Sequence, residues 1–268
     1  MGKWKELTKK IERLLRVKTF PVAFKLLENE EDLYNNKWVR IPKKKEPATL
    51  CQLITRVRTF DWTVGATKEQ LATPICPYML GILDKPPQIV KDGTYRAIKW
   101  FKSTKVALKY ESVFPKIEPG SYEAVILAPL FYDPFDPDIV LIYGNAAQMI
   151  VAINALQFFE YERFTFHCVG ESSCTDYIAQ CYNTGKPALS IPCYGERRYG
   201  HAQDDELVIA LPASMLEDPF IKGLEELYKR GIRYPIPYYG AEVDPRPGLF
   251  DAYGGSSKYR KQKVKYKK

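Results

Sequence analysis

The sequence predicts an α/β fold: a mixed sheet with flanking helices, built as two intimately packed lobes and followed by an extended arm and a basic tail. Three observations carry this expectation. The chain has 268 residues, 46% of them hydrophobic and 13% aromatic, enough to bury a substantial core. From Tyr122 onward, short apolar runs alternate with helical segments, as they do along an α/β sheet. After Arg230, the stretch YPIPYYGAEVDPRPGLFDAYGG is rich in Pro, Gly and Tyr and has no period, so it reads as an arm. The expected division is residues 1–120 with Cys51 and Cys76, residues 121–230 with Cys174 and Cys193, and the arm and tail at 231–268.

Taken in order, Trp4, Leu7, Ile11, Leu14 and Leu15 recur at helical spacing, with lysines and Arg13 around the other side, and predict an opening amphipathic helix. PVAFKLLE from Pro21 is a first strand, and the polar stretch with Lys43, Lys44, Lys45 and Pro47 is loop. ATLCQLITRVRTF reads as a helix with Cys51 near its start, and prolines on either side of Cys76 hold that residue in a turn or first helical turn. The later strands are AVILAPL, DIVLIYG, FTFHCVG, PALSIPC and ELVIALP. Helices follow Asn145 and Ser172, and a third covers roughly Met215 to Lys229. Asn145 with Gln148 three positions on makes a capping pair.

The formal charge of +8 is concentrated at the end of the chain, where the last eleven residues carry seven Lys and Arg. The remainder is nearly neutral, which argues against nucleic acid as the main ligand. The first twenty residues are too charged to hold the apolar stretch of a signal peptide. The uncharged run from Ile139 to Phe159 contains Gly144, Asn145, Gln148, Asn154 and Gln157, so it reads as a buried strand and helix and not as a membrane span. A cytoplasmic location is expected, and reduced thiols with it.

Six cysteines then call for an explanation. If the later strands are largely parallel, IYGN, CVGESSC and PCYGERR leave the sheet at one carboxyl edge, where open α/β sheets bind ligands. Cys174 falls near a helix start, which favours thiolate. Cys181, two turns on, is read as a core cysteine. His167 and Cys168 are adjacent on an expected strand and point to opposite faces. Cys193 ends a strand and opens YGERRYGH, where Arg197 and Arg198 could hold an anion; Asn145 is a further anion or substrate candidate. Asp133, Asp136 and Asp138 in FYDPFDPD read as a plain acidic turn. Neither nucleotide-binding glycine fingerprint occurs, and no C-x-x-C pair is present.

The chain resembles domain-of-unknown-function family 169, an uncharacterised group common in archaea and anaerobic bacteria. The resemblance covers most of residues 10–230 and rests on PVAFK at 21–25, LCQLITRVR from Leu50, CPYMLG from Cys76, APL and PDIVLIYGNAAQ between Ala128 and Gln148, SCTDYIAQ from Ser173, and SIPCYGERRYG from Ser190. Within it, the family's thiol positions correspond to Cys51, Cys76 and Cys193, and to Cys174. Cys168, Cys181 and the region after Tyr234 lie outside its motifs.

These readings lead to the expectation that Cys51, Cys76, Cys174 and Cys193 converge to bind an iron-sulfur cluster of the 4Fe-4S type in a protein of anaerobic metabolism. It would serve as a redox or Lewis-acid enzyme, or as an electron-transfer or accessory subunit. Two alternatives stay open. One is a cofactor-free enzyme with Cys193 or Cys174 as nucleophile and His201 or His167 as base. The other is a docking subunit that meets a protein partner or its own copy through residues 234–268.

Overall fold

A computed structural model describes residues 2–237. Its frame is one six-stranded sheet in the order β2-β3-β1-β4-β6-β5, made from β1 (Val22–Leu27), β2 (Val64–Thr67), β3 (Ala124–Pro129), β4 (Ile139–Asn145), β5 (Ala188–Ser190) and β6 (Glu206–Pro212). The helices are α1 (Lys3–Leu15), α2 (Glu30–Tyr34), α3 (Leu50–Phe60), α4 (Ile75–Met79), α5 (Gln88–Lys91), α6 (Thr94–Ala97), α7 (Thr104–Glu111), α8 (Ala146–Leu156), α9 (Gln180–Thr184), α10 (Tyr194–Gly200) and α11 (Lys222–Lys229).

The α/β class with flanking helices is what the sequence predicts, but strand direction differs from the expectation. Among the described residues every ladder is antiparallel, and parallel pairing is confined to the isolated bridges Arg40–Val64 and Ala48–Leu71. The alternation of apolar runs with helical segments suggests parallel strands, and strands that are apolar throughout also usually mark a parallel sheet. Here that apolar character arises because helices cover both faces of an antiparallel one. Along β4, Ile139, Leu141 and Tyr143 face a core shared with α3 and α4, whereas Val140 and Ile142 face a second core shared with α1, α8 and α11. The period of two survives as a choice between two buried sides.

Local chemistry accounts for the element ends. The apolar stripe of α1 is buried as expected, and two of its basic residues, Lys10 and Arg13, pair with Glu225 of α11. The Asn145–Gln148 capping box starts α8, and a Thr49–Gln52 box starts α3. FTFHCVG forms no strand. Its Val169 N–H donates to the Asp176 side chain at 3.0 Å instead of to a ladder, and His167 and Cys168 are exposed. The expected helix from Met215 is broken at Asp218, whose extended φ of −131° precedes Pro219; Leu216–Ile221 is a π-helical piece and α11 continues from it. The three aspartates of FYDPFDPD act as local acceptors: Asp133 takes the Trp4 N–H, Asp136 the Trp4 indole N–H, and Asp138 the Leu26 N–H. Residues 238–268, and with them nearly all of the expected arm and tail, lie outside the described residues.

One buried ion pair ties α3 to the start of β6. Both terminal nitrogens of Arg58 meet Glu206, at 3.0 and 2.9 Å, and the guanidinium stacks 4.0 Å over the Tyr143 ring. The side chains are 2% and 8% exposed, so loss of one partner strands a charge. Glu206→Gln is therefore expected to lower the unfolding free energy by about 3 kcal/mol, with a milder loss when Arg58→Met accompanies it, read from urea denaturation of single and double variants.

Candidate functional site

Four helical segments begin around one cavity, and each brings a cysteine to it. Cys51 is the second residue of α3, just inside the Thr49 cap. Cys76 is the second residue of α4; its thiol meets the Thr73 hydroxyl at 2.9 Å. Cys174 immediately precedes the π-helical turn Thr175–Ala179 that leads into α9. Cys193 caps α10, and its sulfur accepts the Glu196 N–H at 3.4 Å. All four line a cavity of about 450 Å³. A helix start carries the positive end of the backbone dipole, so the starts of α3, α4 and α10 at the cavity favour negative charge there.

The protein alone does not ionise Cys51, Cys76 or Cys174 easily. Burial raises Cys51 well above the ordinary thiol value, and Glu196, Cys76 and Cys193 push it the same way. Cys174 is raised by burial and then by Cys76, Cys51 and Cys193. Cys76 is raised by burial, against the opposing pull of the Thr73 hydroxyl, the Leu50 backbone and Arg96. Thiolates placed together here need a cation among them. Among the described residues, no group of three or more His, Cys, Asp or Glu side chains stands ready to hold a metal ion.

A polar network supports the cavity from below. Glu196 is 1% exposed, and its carboxylate accepts from the hydroxyls of Ser173 at 2.6 Å, Tyr177 at 3.1 Å and Tyr143. The Ser173 hydroxyl in turn accepts the Cys193 N–H at 2.9 Å. The loop before Cys174 and the cap of α10 are thus fixed to each other. At the other end of α10, a Cβ on Gly200 would lie 2.9 Å from the Cys51 Cβ, so only glycine lets α10 approach the start of α3 this closely.

The other expected site residues separate. Arg198 lines the cavity; Arg197 does not, and instead donates to the Gln203 carbonyl outside it. Asn145 shares the sheet edge but serves as the α8 cap and donates to the Tyr234 hydroxyl at 3.1 Å. Cys181 is buried, its thiol pushed up to about 12, and lies outside the cavity. His167 and Cys168 line a second, separate cavity, and His201 offers its carbonyl to Arg58 at 3.1 Å. The sequence reading missed Tyr95, Lys99 and Trp100, which form part of the wall, and Glu196, which sits inside a motif singled out for its arginines. Their signal was present as a basic-aromatic cluster in YRAIKWFK and as an acid between Cys193 and a buried glycine.

An α/β sandwich whose sheet edge carries a cavity walled by cysteines at four helix starts defines a thiol-pocket protein. The chain belongs to domain-of-unknown-function family 169, described as Uncharacterised ArCR, which it matches over residues 10–219. Among curated proteins it is similar to Uncharacterized protein MJ0308 of Methanocaldococcus jannaschii, 26% identical over 216 residues that cover 80% of this chain and 91% of that one. No solved structure matches. Among the described residues, no helix is long and apolar enough to cross a membrane.

Asp176 joins the loop before Cys174 to β5, accepting from Val169 N–H and, at 3.4 Å, from the Ser190 hydroxyl. Burial pushes its carboxyl up to about 6. The folded state therefore holds this proton more tightly than the unfolded chain, and the associated stability, complete below the ordinary carboxyl value, is lost as pH rises through about 6. Asp176→Asn is expected to flatten that fall between pH 4 and pH 7, measured by thermal unfolding across about six buffers.

Proposed function

We propose that this protein binds an iron-sulfur cluster of the four-iron type through Cys51, Cys76, Cys174 and Cys193, and acts in redox or Lewis-acid chemistry on a small molecule. The observation that carries the reading is the lining of one cavity by four cysteines that come from dispersed parts of the chain. The donor set fits: it is made of thiols, which suit iron-sulfur groups, and the cavity they line, about 450 Å³ with its other walls included, has room for a group larger than a lone ion. When bound, the cluster supplies one-electron transfer, or Lewis acidity where one iron lacks a protein ligand.

The chain's own residues would do the rest. The starts of α3, α4 and α10 would offset part of the negative charge of a thiolate-ligated cluster, and the Glu196–Ser173 bond holds Cys193 in register with Cys174. Thiols raised by burial must lose protons on loading, so affinity rises with pH. A cofactor-free nucleophile reading would need a base, and neither histidine lines this cavity. No part of the proposal requires residues 234–268, whose expected role toward a partner or second copy remains a separate proposal.

The test is anaerobic reconstitution with iron and sulfide, followed by metal, sulfide and visible-absorption analysis. About four irons and four sulfides per chain are expected. Cys51→Ala and Cys193→Ala should lose the colour, and Cys168→Ala and Cys181→Ala should retain it. A protein that stays colourless and metal-free after reconstitution overturns the proposal.

A further inference from the structure

The mouth of the thiol cavity has a composition that the cluster does not explain. Two segments form it: the turn after α6, with Tyr95 just behind it, and the outer side of α10. Lys99 comes from the first and Arg198 from the second, both exposed, and neither has an ion-pair partner among the described residues. Glu171, the carboxylate on the same wall, is engaged by Arg96, which Glu111 shares at 3.0 Å, and by the Ser172 hydroxyl at 2.9 Å. The lining thus sets the two cations Lys99 and Arg198 against one carboxylate, a positive balance.

Its remaining surface is aromatic. Trp100 and Tyr194 meet edge to face across the two segments, with ring centroids 5.6 Å apart, and Tyr199 stands beside Arg198, whose guanidinium lies 5.5 Å from its ring. Trp100, Tyr194 and Tyr199 are 39%, 59% and 45% exposed. Large aromatics left in water around a concave opening form a surface that a ligand can cover. Flat apolar faces select a flat apolar body, and two unpaired cations at the same opening select an anion.

We infer that the mouth binds a planar aromatic anion of the aryl carboxylate class, its ring against Trp100, Tyr194 and Tyr199 and its carboxylate between Lys99 and Arg198, beside the thiols. This deepens the proposed function and rests on it for placing that molecule next to a reactive centre; the binding itself requires only the mouth. The class goes beyond the anion expected from the arginines alone, since aliphatic and aromatic carboxylates carry the same charge and differ only in what the rings can stack upon.

The experiment measures binding of benzoate, cyclohexanecarboxylate and benzyl alcohol to the full chain by calorimetry and ligand-observed NMR. It is run on metal-free and on anaerobically reconstituted protein, with iron determined on the same samples. Benzoate is expected to bind about tenfold more tightly than either of the other two probes. Lys99→Gln with Arg198→Gln should remove at least tenfold of the benzoate affinity, and Trp100→Leu should narrow its margin over cyclohexanecarboxylate while leaving that over benzyl alcohol. Circular dichroism confirms that the variants are folded. Equal affinity for benzoate and cyclohexanecarboxylate, or benzoate affinity unchanged in the double variant, overturns the inference. Iron-loaded protein that ignores benzoate sinks this inference and leaves the cluster reading standing; benzoate binding to protein that never takes up iron does the reverse.

Discussion

β6 runs between β4 and β5 and pairs antiparallel with both, and the arrangement of the site follows from that insertion. Because β6 opposes each neighbour, β4 and β5 point the same way, and their ends at Asn145 and Ser190 reach the same edge of the sheet. The start of β6 returns there too, bringing Glu206 to Arg58. That pair anchors α3, whose first turn carries Cys51, over the face of the sheet on which Tyr143 stands. The connection from β4 to β5 is the helical crossover that two strands pointing the same way require, carrying α8 and α9, and β6 is inserted between the two and pairs antiparallel with each.

The interior beneath the cavity is unusually polar for a core. Glu196 is held by three hydroxyls, and Arg58 by a carboxylate and a ring. The network around Glu196 specifies one packing, because a shift leaves a buried acceptor without its partners; at Arg58 the two terminal nitrogens are engaged, and the buried Nε has no hydrogen-bond partner among the described residues. The rigidity falls where the thiols need it, at the first turns of α3 and α10 and at the loop into Cys174. Close packing adds to this: a glycine at 200 lets α10 rest directly on the backbone around Cys51.

How much was legible in the sequence depended on the range of the interaction. The stripe of Trp4, Leu7, Ile11, Leu14 and Leu15 and the Asn145–Gln148 cap are local, and both appear where expected. Strand direction is not local, and the doubly buried antiparallel sheet imitated a parallel one. FTFHCVG carries strand propensity but has no ladder to join, since Asp176 takes the N–H of Val169. In the site, cysteines at turn and helix boundaries were visible one by one, while their neighbours were not. Tyr95, Lys99 and Trp100 lie in a region where three short helices gave no clear period, and Glu196 is distinguished only by partners 19 to 53 positions away.

The cavity draws its walls from segments as distant in the chain as Thr49 and Tyr199. A zinc ribbon keeps its ligands in a short stretch that can be excised and moved to another protein. No such fragment exists here, since any cut between those two residues divides the thiol set from part of its enclosure. Whatever chemistry occupies the cavity is inherited with the whole sandwich, and a repacking at the contact between α3 and α10 alters the pocket without touching a single sulfur.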